Sequence, residues 1–356
     1  MKDLLTQLLD GQTLSLGQAT DAFEQIMSGR ATPVQTGALL ALIQTRGATV
    51  EELTGAATVM RQKAAKVKPP EGVTVVDTCG TGGDGAGTFN ISTAAALVTA
   101  GAGRERGVVV AKHGNRSVTS RSGSSQVLEA LGVTLACPPD VLTRCMAEAG
   151  IAFCFAPAHH PAMKHAAPVR AELGFRTLFT LVGPLTNPAG ATRQVIGVFH
   201  EQLTDTLAEV LQSLGSERAM VVCGQIPADA DGHIVTLDEL STAGPSKITH
   251  LRTDPAGSTL ETQRLDPADL DLPFSHPSSM RVDSPEASAA MIRGVLAGDH
   301  GPARDIVLLN AAAALVVAAL AHDLQEGLTL AAQAIDTGKA RQALDTLVRI
   351  TGEAAA

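Results

Sequence analysis

The chain has 356 residues, long for one domain and comfortable for two. It is 45% hydrophobic with eight Phe and no Trp or Tyr, so a sizeable core must be built from Ala, Val and Leu. The net charge of -9 argues against a nucleic-acid surface, and five cysteines without a C-x-x-C pair argue against structural zinc and a disulfide framework. A reducing cytoplasm fits that cysteine usage. The opening MKDLLTQLLDG is too polar and too short for a signal peptide.

The first elements read as short helices. ATPVQTGALLALIQTRG has Thr32 as N-cap, Pro33 at the first helical position and Gly47 as the stop. TVEELTGAATVMRQKAA begins at Thr49 with Glu52 three residues on, a capping box. AKVKPPEG, Ala65 to Gly72, is a charged, proline-bearing linker. After it come VTVVD, RGVVVA, IAFCFA, QVIGVF and RAMVVC, apolar runs without clean alternation. Strands buried on both faces read this way. The expected fold class is therefore α/β: a small all-helical domain plus a large domain with a central, mainly parallel sheet flanked by helices. GQIPADADGHIVTLDEL reads as an irregular insertion after a strand, and Ser284 onward returns to Ala/Leu-rich helices. The run from Ile306 to Ala321 is shorter than a membrane span and holds Asn310, so it reads as a buried helix.

DTCGTGGDGAGTFNIST, Asp77 to Thr93, is a glycine-rich turn between a strand and a helix. Backbone N–H groups of such a turn and of the helix start form a phosphate cradle. Gly80-x-Gly82-x-x-Gly85 also fits the dinucleotide fingerprint. That fingerprint needs an acidic residue at the end of the next strand, where this chain has Lys112-His113. No Walker lysine follows the glycines either. Asp84 is awkward beside a phosphate unless a metal ion or a sugar hydroxyl lies near it.

Lys112, His113, Asn115, Arg116 and Arg121 cluster past the next strand, and Ser124 stands near a second helix start. That arrangement suits a pyrophosphate-like polyanion. Further on, Arg170 and Arg176 alternate with Met163, Phe175, Leu178 and Phe179, a pattern for a planar carboxylate ligand held by an arginine. His159 and His165 receive no role. Asp238-Glu239 in VTLDELS are hard oxygen donors of the kind that bind Mg²⁺.

Together GTGGDGAGTFNIST, KHGNRSVTSRSGSSQVLEALG, HPAMKHAAPVR with GPLTNP, and LDELS resemble the anthranilate phosphoribosyltransferase family of tryptophan biosynthesis. The resemblance runs from about Ala31 onward. It implies a homodimer of hinged two-domain subunits. The small helical domain would hold residues 1–70, with 166–188 packed on it, and the large α/β domain 71–165 and 189–356. Gly80, Gly83, Asp84, Thr88, Asn90, Ile91, Ser92 and Thr93 would hold phosphoribosyl pyrophosphate (PRPP). Lys112, His113, Gly114, Asn115, Arg116, Ser117, Val118, Thr119, Ser120 and Ser124 would wrap its phosphates. Gly80, Asn115 and Arg170 would contact anthranilate. Ser92, Asp238 and Glu239 would ligate two Mg²⁺ ions per subunit. Lys112 would meet charge building on pyrophosphate, with His113 as a catalytic helper. Nucleic acid and membrane are not expected partners. Thr180 departs from the family's usual Asn, and the segment between Cys223 and Leu237 is longer and more polar than the family pattern. A pyrimidine nucleoside phosphorylase of the same fold is the rival enzyme, and a nucleic-acid-binding relative the rival non-enzyme.

Overall fold

Thr49 caps the helix Val50–Lys63, and Glu52 answers by accepting the Thr49 N–H at 3.1 Å. The same buried carboxylate accepts the Leu14 N–H at 2.9 Å and pairs with Arg46. One side chain thus closes a helix start and ties it to its neighbours. Thr32 makes a second capping box, with Gln35, at the start of Pro33–Arg46. These helices, with Lys2–Leu9 and Leu16–Met27, form the N-terminal helical unit. The computed structural model describes residues 1–116, 122–227 and 235–354.

The sheet follows. Its strands are Thr74–Asp77 (β1), Val108–Gly114 (β2), Ile151–Phe155 (β3), Arg193–Gly197 (β4), Arg218–Ile226 (β5), Val235–Leu237 (β6), Ser246–Asp254 (β7) and Gly257–Leu265 (β8). The spatial order is β3-β2-β1-β4-β5-β7-β8, with β6 also paired to β5. β3, β2, β1, β4 and β5 run parallel, while β6, β7 and β8 add antiparallel pairs. β1 is the switch point, since β2 lies on one side of it and β4 on the other. Open α/β sheets bind ligands outside the carboxyl end of such a strand.

Two apolar clusters cover the sheet. One gathers Val76, Val110 and Met220 with the helices Ile91–Gly103, Pro302–Val317 and Leu324–Asp336. The other joins Val198, Val221 and Leu251 to Phe23, Leu39 and Leu53 of the helical unit. Leu178, Phe179, Val182 and Leu185 belong to this second cluster, and the Phe179 ring meets Phe23 edge-on at 5.8 Å. Pro302–Val317 is buried along nearly its whole length. No helix among the described residues is long and apolar enough to cross a membrane.

The structure corrects the reading of 224–240 as wholly irregular. β5 continues to Ile226, and β6 pairs back onto it through Gly224↔Leu237 and Ile226↔Val235. Residues 228–234 lie outside the described residues. The β7–β8 hairpin is also new. Its outer strand is exposed on both faces and carries no apolar run by which to recognise it.

Candidate active site

A cleft of about 790 Å³ opens at the carboxyl ends of β1 and β2. Its wall includes Gly80, Gly83, Asp84, Thr88, Asn90, Ile91, Ser92, Lys112, His113, Gly114, Asn115, Arg116, Ser124, Arg170, Asp238 and Glu239. Residues far apart in the chain therefore share one cavity. Thr93 does not line it and is buried in the helix behind. Ser117, Val118, Thr119 and Ser120, expected on the phosphates, lie outside the described residues, as does Arg121.

The glycine loop is held at several points. Asp238 Oδ2 accepts the Gly82 N–H at 2.7 Å, and Arg176 donates to the Gly83 carbonyl. Gly83 has φ +84°, and an added Cβ would press on the Arg176 guanidinium at 3.2 Å. The Arg176 guanidinium stacks on the Phe199 ring at 4.5 Å. Asn90, just before the helix Ile91–Gly103, accepts the hydroxyls of Ser122 and Ser288, each at 2.9 Å. Its N–H donates to Ser288 at 3.0 Å, linking the loop to the helix Pro285–Ala297.

Three carboxylates converge on this loop. Asp84 accepts the Asp238 N–H at 3.4 Å, and Glu239 accepts the Ser92 N–H at 3.0 Å. Burial, then the Asp84 charge, holds the Asp238 carboxyl well above its ordinary range. Burial pushes Glu239 up to about 7, against the pull of Lys112. Among the described residues no lysine or arginine forms an ion pair with any of the three. Three half-buried carboxylates crowded together, with Lys112 the cation acting on Glu239, repel one another, and a hard divalent cation relieves them. The Ser92 hydroxyl beside Glu239 adds a neutral oxygen. The donor set therefore fits Mg²⁺, with Ser92, Asp238 and Glu239 as the residues that would hold it and Asp84 alongside.

The position of the carboxylates depends on two features outside the loop. A Cβ at Gly197 would collide with the Asp238 carbonyl, so only glycine admits this close approach of β4 to the 238–240 segment. Asn310, on the buried helix, accepts the Leu240 N–H at 2.9 Å and donates to the Leu240 carbonyl at 3.0 Å.

Lys112 is buried at the end of β2, where its ammonium donates to the Thr78 carbonyl at 2.9 Å and the Ser92 hydroxyl at 3.3 Å. His113 turns to His160, with the two Nε2 atoms 3.1 Å apart. Burial and the neighbouring His160 depress His113 to about 3, and burial depresses His160 to about 4. Both rings are neutral at physiological pH. Arg170 lies in the cavity wall with its guanidinium 5.3 Å from the Phe179 ring centroid and no acidic partner among the described residues. Thr180, the departure from the family pattern, also lines the cleft. His160, Arg176, Ser288 and Asn310 carry these arrangements without having been singled out for them from the sequence. Their partners lie far along the chain, so no local motif marks them.

The helical unit and the sheet each match a known family. Residues 2–64 match the helical bundle domain of the glycosyl transferase family, and residues 72–341 match its a/b domain. The chain is 49% identical over 352 residues to anthranilate phosphoribosyltransferase of Rhodospirillum rubrum, across 99% of this chain and 96% of the relative. It is 46% identical to the enzyme of that name from Rubrobacter xylanophilus, across 99% and 97%. The solved structure of anthranilate phosphoribosyltransferase from Thermus thermophilus superposes with a TM-score of 0.85 at 37% identity, covering 98% of this chain and 99% of that one. The Saccharomyces cerevisiae enzyme, solved in complex with PRPP and Mg, superposes with a TM-score of 0.83 at 25% identity, covering 98% and 97%. The fold and cleft are those of a glycosyltransferase with a helical bundle and an a/b domain. Within that class, the chain belongs to the anthranilate phosphoribosyltransferase family.

Proposed function

We propose that the cleft transfers the 5-phosphoribosyl group of PRPP to the amine of anthranilate. The products are N-(5-phosphoribosyl)anthranilate and pyrophosphate, the second step from chorismate to L-tryptophan. The observation that carries this reading is one cavity lined by two unlike sets of groups. One is a glycine loop with three carboxylates, and the other is Arg170, without an acidic partner among the described residues, beside Phe179. A phosphorylated sugar suits the first and an aromatic carboxylate the second.

The amine attacks C1′ and the C1′–O bond to pyrophosphate breaks, with inversion. An aryl amine is a weak nucleophile, so positioning and leaving-group stabilisation supply most of the acceleration. The glycine-loop N–H groups and Asn90 to Ser92 hold the phosphoribosyl part. Lys112, fixed by the Thr78 carbonyl and Ser92, places positive charge where the leaving group gains negative charge. Arg170 orients anthranilate through its carboxylate, with Gly80 and Asn115 in the same wall. When bound, Mg²⁺ supplies further positive charge against the pyrophosphate oxygens. His113 is unprotonated and can accept the amine proton, although its low basicity confines that transfer to a late stage, after the C–N bond has made the nitrogen acidic.

The same reading includes two Mg²⁺ ions per subunit, a homodimer and a cytoplasmic location. Leu9 and Val34, 70% and 81% exposed on the helical unit, are apolar surface that a second subunit would cover. All five cysteines are free thiols, as a reducing compartment requires. The reading also takes the small domain as 1–70 with 166–188, and the packing of Leu178 and Phe179 with Phe23 and Leu53 supports it. The test is pyrophosphate release by the purified chain, which should require PRPP, anthranilate and Mg²⁺ together. Release that ignores anthranilate would refute the proposal.

A further inference from the structure

Three different donor groups meet in the wall of the cleft, next to the carboxylate trio but not part of it. Asp77 ends β1, Cys79 opens the glycine loop, and His113 is near the end of β2. A carboxylate oxygen, the Sγ and a ring nitrogen of these residues all lie within 4.8 Å of one another. Asp77 and His113 are buried, whereas Cys79 is half-buried and lines the cavity together with His113. The cluster is thus reached from the cleft. His113 Nδ1 is buried with no partner inside ordinary hydrogen-bond limits, the Gly183 carbonyl being the polar group near the ring, while Nε2 meets His160. Asp77 Oδ1 accepts the His113 N–H at 3.1 Å and Oδ2 accepts from Asn187 at 2.7 Å, and the Thr78 N–H also bonds the carboxylate. Three hydrogen bonds on four lone pairs leave one for a metal.

Mg²⁺ prefers oxygen donors in a near-octahedral shell, which the carboxylates and Ser92 supply. A thiolate, an imidazole and a carboxylate suit zinc-class cations instead. One carboxylate and one thiolate match the charge of one divalent cation, with the Lys112 ammonium close by. Structural zinc is disfavoured in this chain only in its usual form, paired cysteines close in sequence. This cluster is made by three segments that only the sheet brings together.

We propose that Asp77, Cys79 and His113 form a binding site for a zinc-class divalent cation, distinct from the Mg²⁺ carboxylates, and that its occupancy inhibits the enzyme. On binding, a bond forms between Cys79 Sγ and the metal, and the thiol proton leaves to solvent. No electron is transferred. The occupied site immobilises the His113 ring and places a cation beside Lys112 on the cleft floor, where the leaving group must be met. Mg²⁺ does not displace it, because the donors are too soft.

Co²⁺ is the probe. Cobalt bound to a thiolate absorbs in the near ultraviolet, and a chain without Trp or Tyr leaves that region nearly clear. Wild-type protein in saturating Mg²⁺ should develop this band on Co²⁺ titration, and Zn²⁺ should abolish it. Cys79→Ala and Cys79→Ser should lack the band and lower Co²⁺ affinity at this site about 10- to 100-fold or more. Measured against its own Zn²⁺-free rate, each folded variant should lose most of the Zn²⁺ sensitivity. Asp238→Ala with Glu239→Ala should retain the band although turnover is lost, which separates this site from the Mg²⁺ reading. No thiolate band in wild type, or equal Zn²⁺ sensitivity in the folded Cys79 variants, would overturn the proposal.

Discussion

Asp238 accepts the Gly82 N–H at 2.7 Å and donates its own N–H to Asp84 at 3.4 Å. The glycine loop and the segment after β6 are therefore fastened to each other before any ligand arrives. The fastening brings like charges together, so its stability and its function pull in opposite directions. Asp238→Asn keeps an oxygen to accept the Gly82 N–H and removes one charge. The metal-free variant should melt at the same or a higher temperature than wild type. Its turnover should fall about 10- to 100-fold or more, with a raised Mg²⁺ requirement. Calorimetry and steady-state rates test this together, and normal turnover at ordinary Mg²⁺ would remove Asp238 from the metal site.

Glu239 gives a pH dependence with a definite sign. Its folded value of about 7 lies above its ordinary 4.5. The folded state therefore binds more protons between those values, and the Glu239 contribution to stability is present below 4.5 and lost as pH rises through about 7. Asp77, raised to about 6, acts in the same direction, while His113 and His160, both depressed, act oppositely. Mg²⁺ competes with the Glu239 proton. The rise in melting temperature produced by Mg²⁺ should grow from pH about 5 to about 8. A rise that is constant across this range contradicts the assignment of Glu239.

Arg170→Ala should raise the anthranilate KM by about 10- to 150-fold, the equivalent of a charge-assisted hydrogen bond worth about 1.5 to 3 kcal/mol. The PRPP KM should move far less, because the glycine loop and Lys112, not Arg170, are assigned to PRPP. Equal changes in both constants would make Arg170 a structural residue.

Asn310→Leu tests the support behind the metal residues. Leucine fills a similar volume but leaves the buried Leu240 N–H and carbonyl without their side-chain partner. The cost should be about 1 to 3 kcal/mol in unfolding free energy. The Mg²⁺ requirement should rise as well, because Leu240 follows Glu239 directly. A variant that is destabilised but has an unchanged Mg²⁺ requirement would show that the helix does not position the carboxylates.

Much of this was legible in the chain. The strands announced themselves as buried apolar runs, and Thr32 and Thr49 marked helix starts by chemistry that acts within three residues. The glycine loop, Lys112 and Asp238-Glu239 were legible because each is a compact motif. The β7–β8 hairpin was not, since its outer strand faces water on both sides and has no hydrophobic period to read. His160 against His113, Asn310 against Leu240 and Arg176 against Gly83 were not legible either. Each is a through-space pairing, and one member of each pair is an ordinary residue in its local sequence. Asn310 entered only as an obstacle to a membrane span, while its amide proves to pin the segment that carries Glu239.

Anthranilate fluoresces, and a protein without Trp or Tyr contributes almost no background. The most direct measurement is the time course of that emission after mixing the purified chain with anthranilate, PRPP and Mg²⁺, with pyrophosphate followed in parallel. The signal should decay as the amine is alkylated, and pyrophosphate should appear in equal amount. Omitting PRPP or Mg²⁺ should hold the signal constant. Unchanged anthranilate emission in the complete mixture, together with consumption of thymidine in the presence of phosphate, would contradict the account and make the cleft that of a nucleoside phosphorylase.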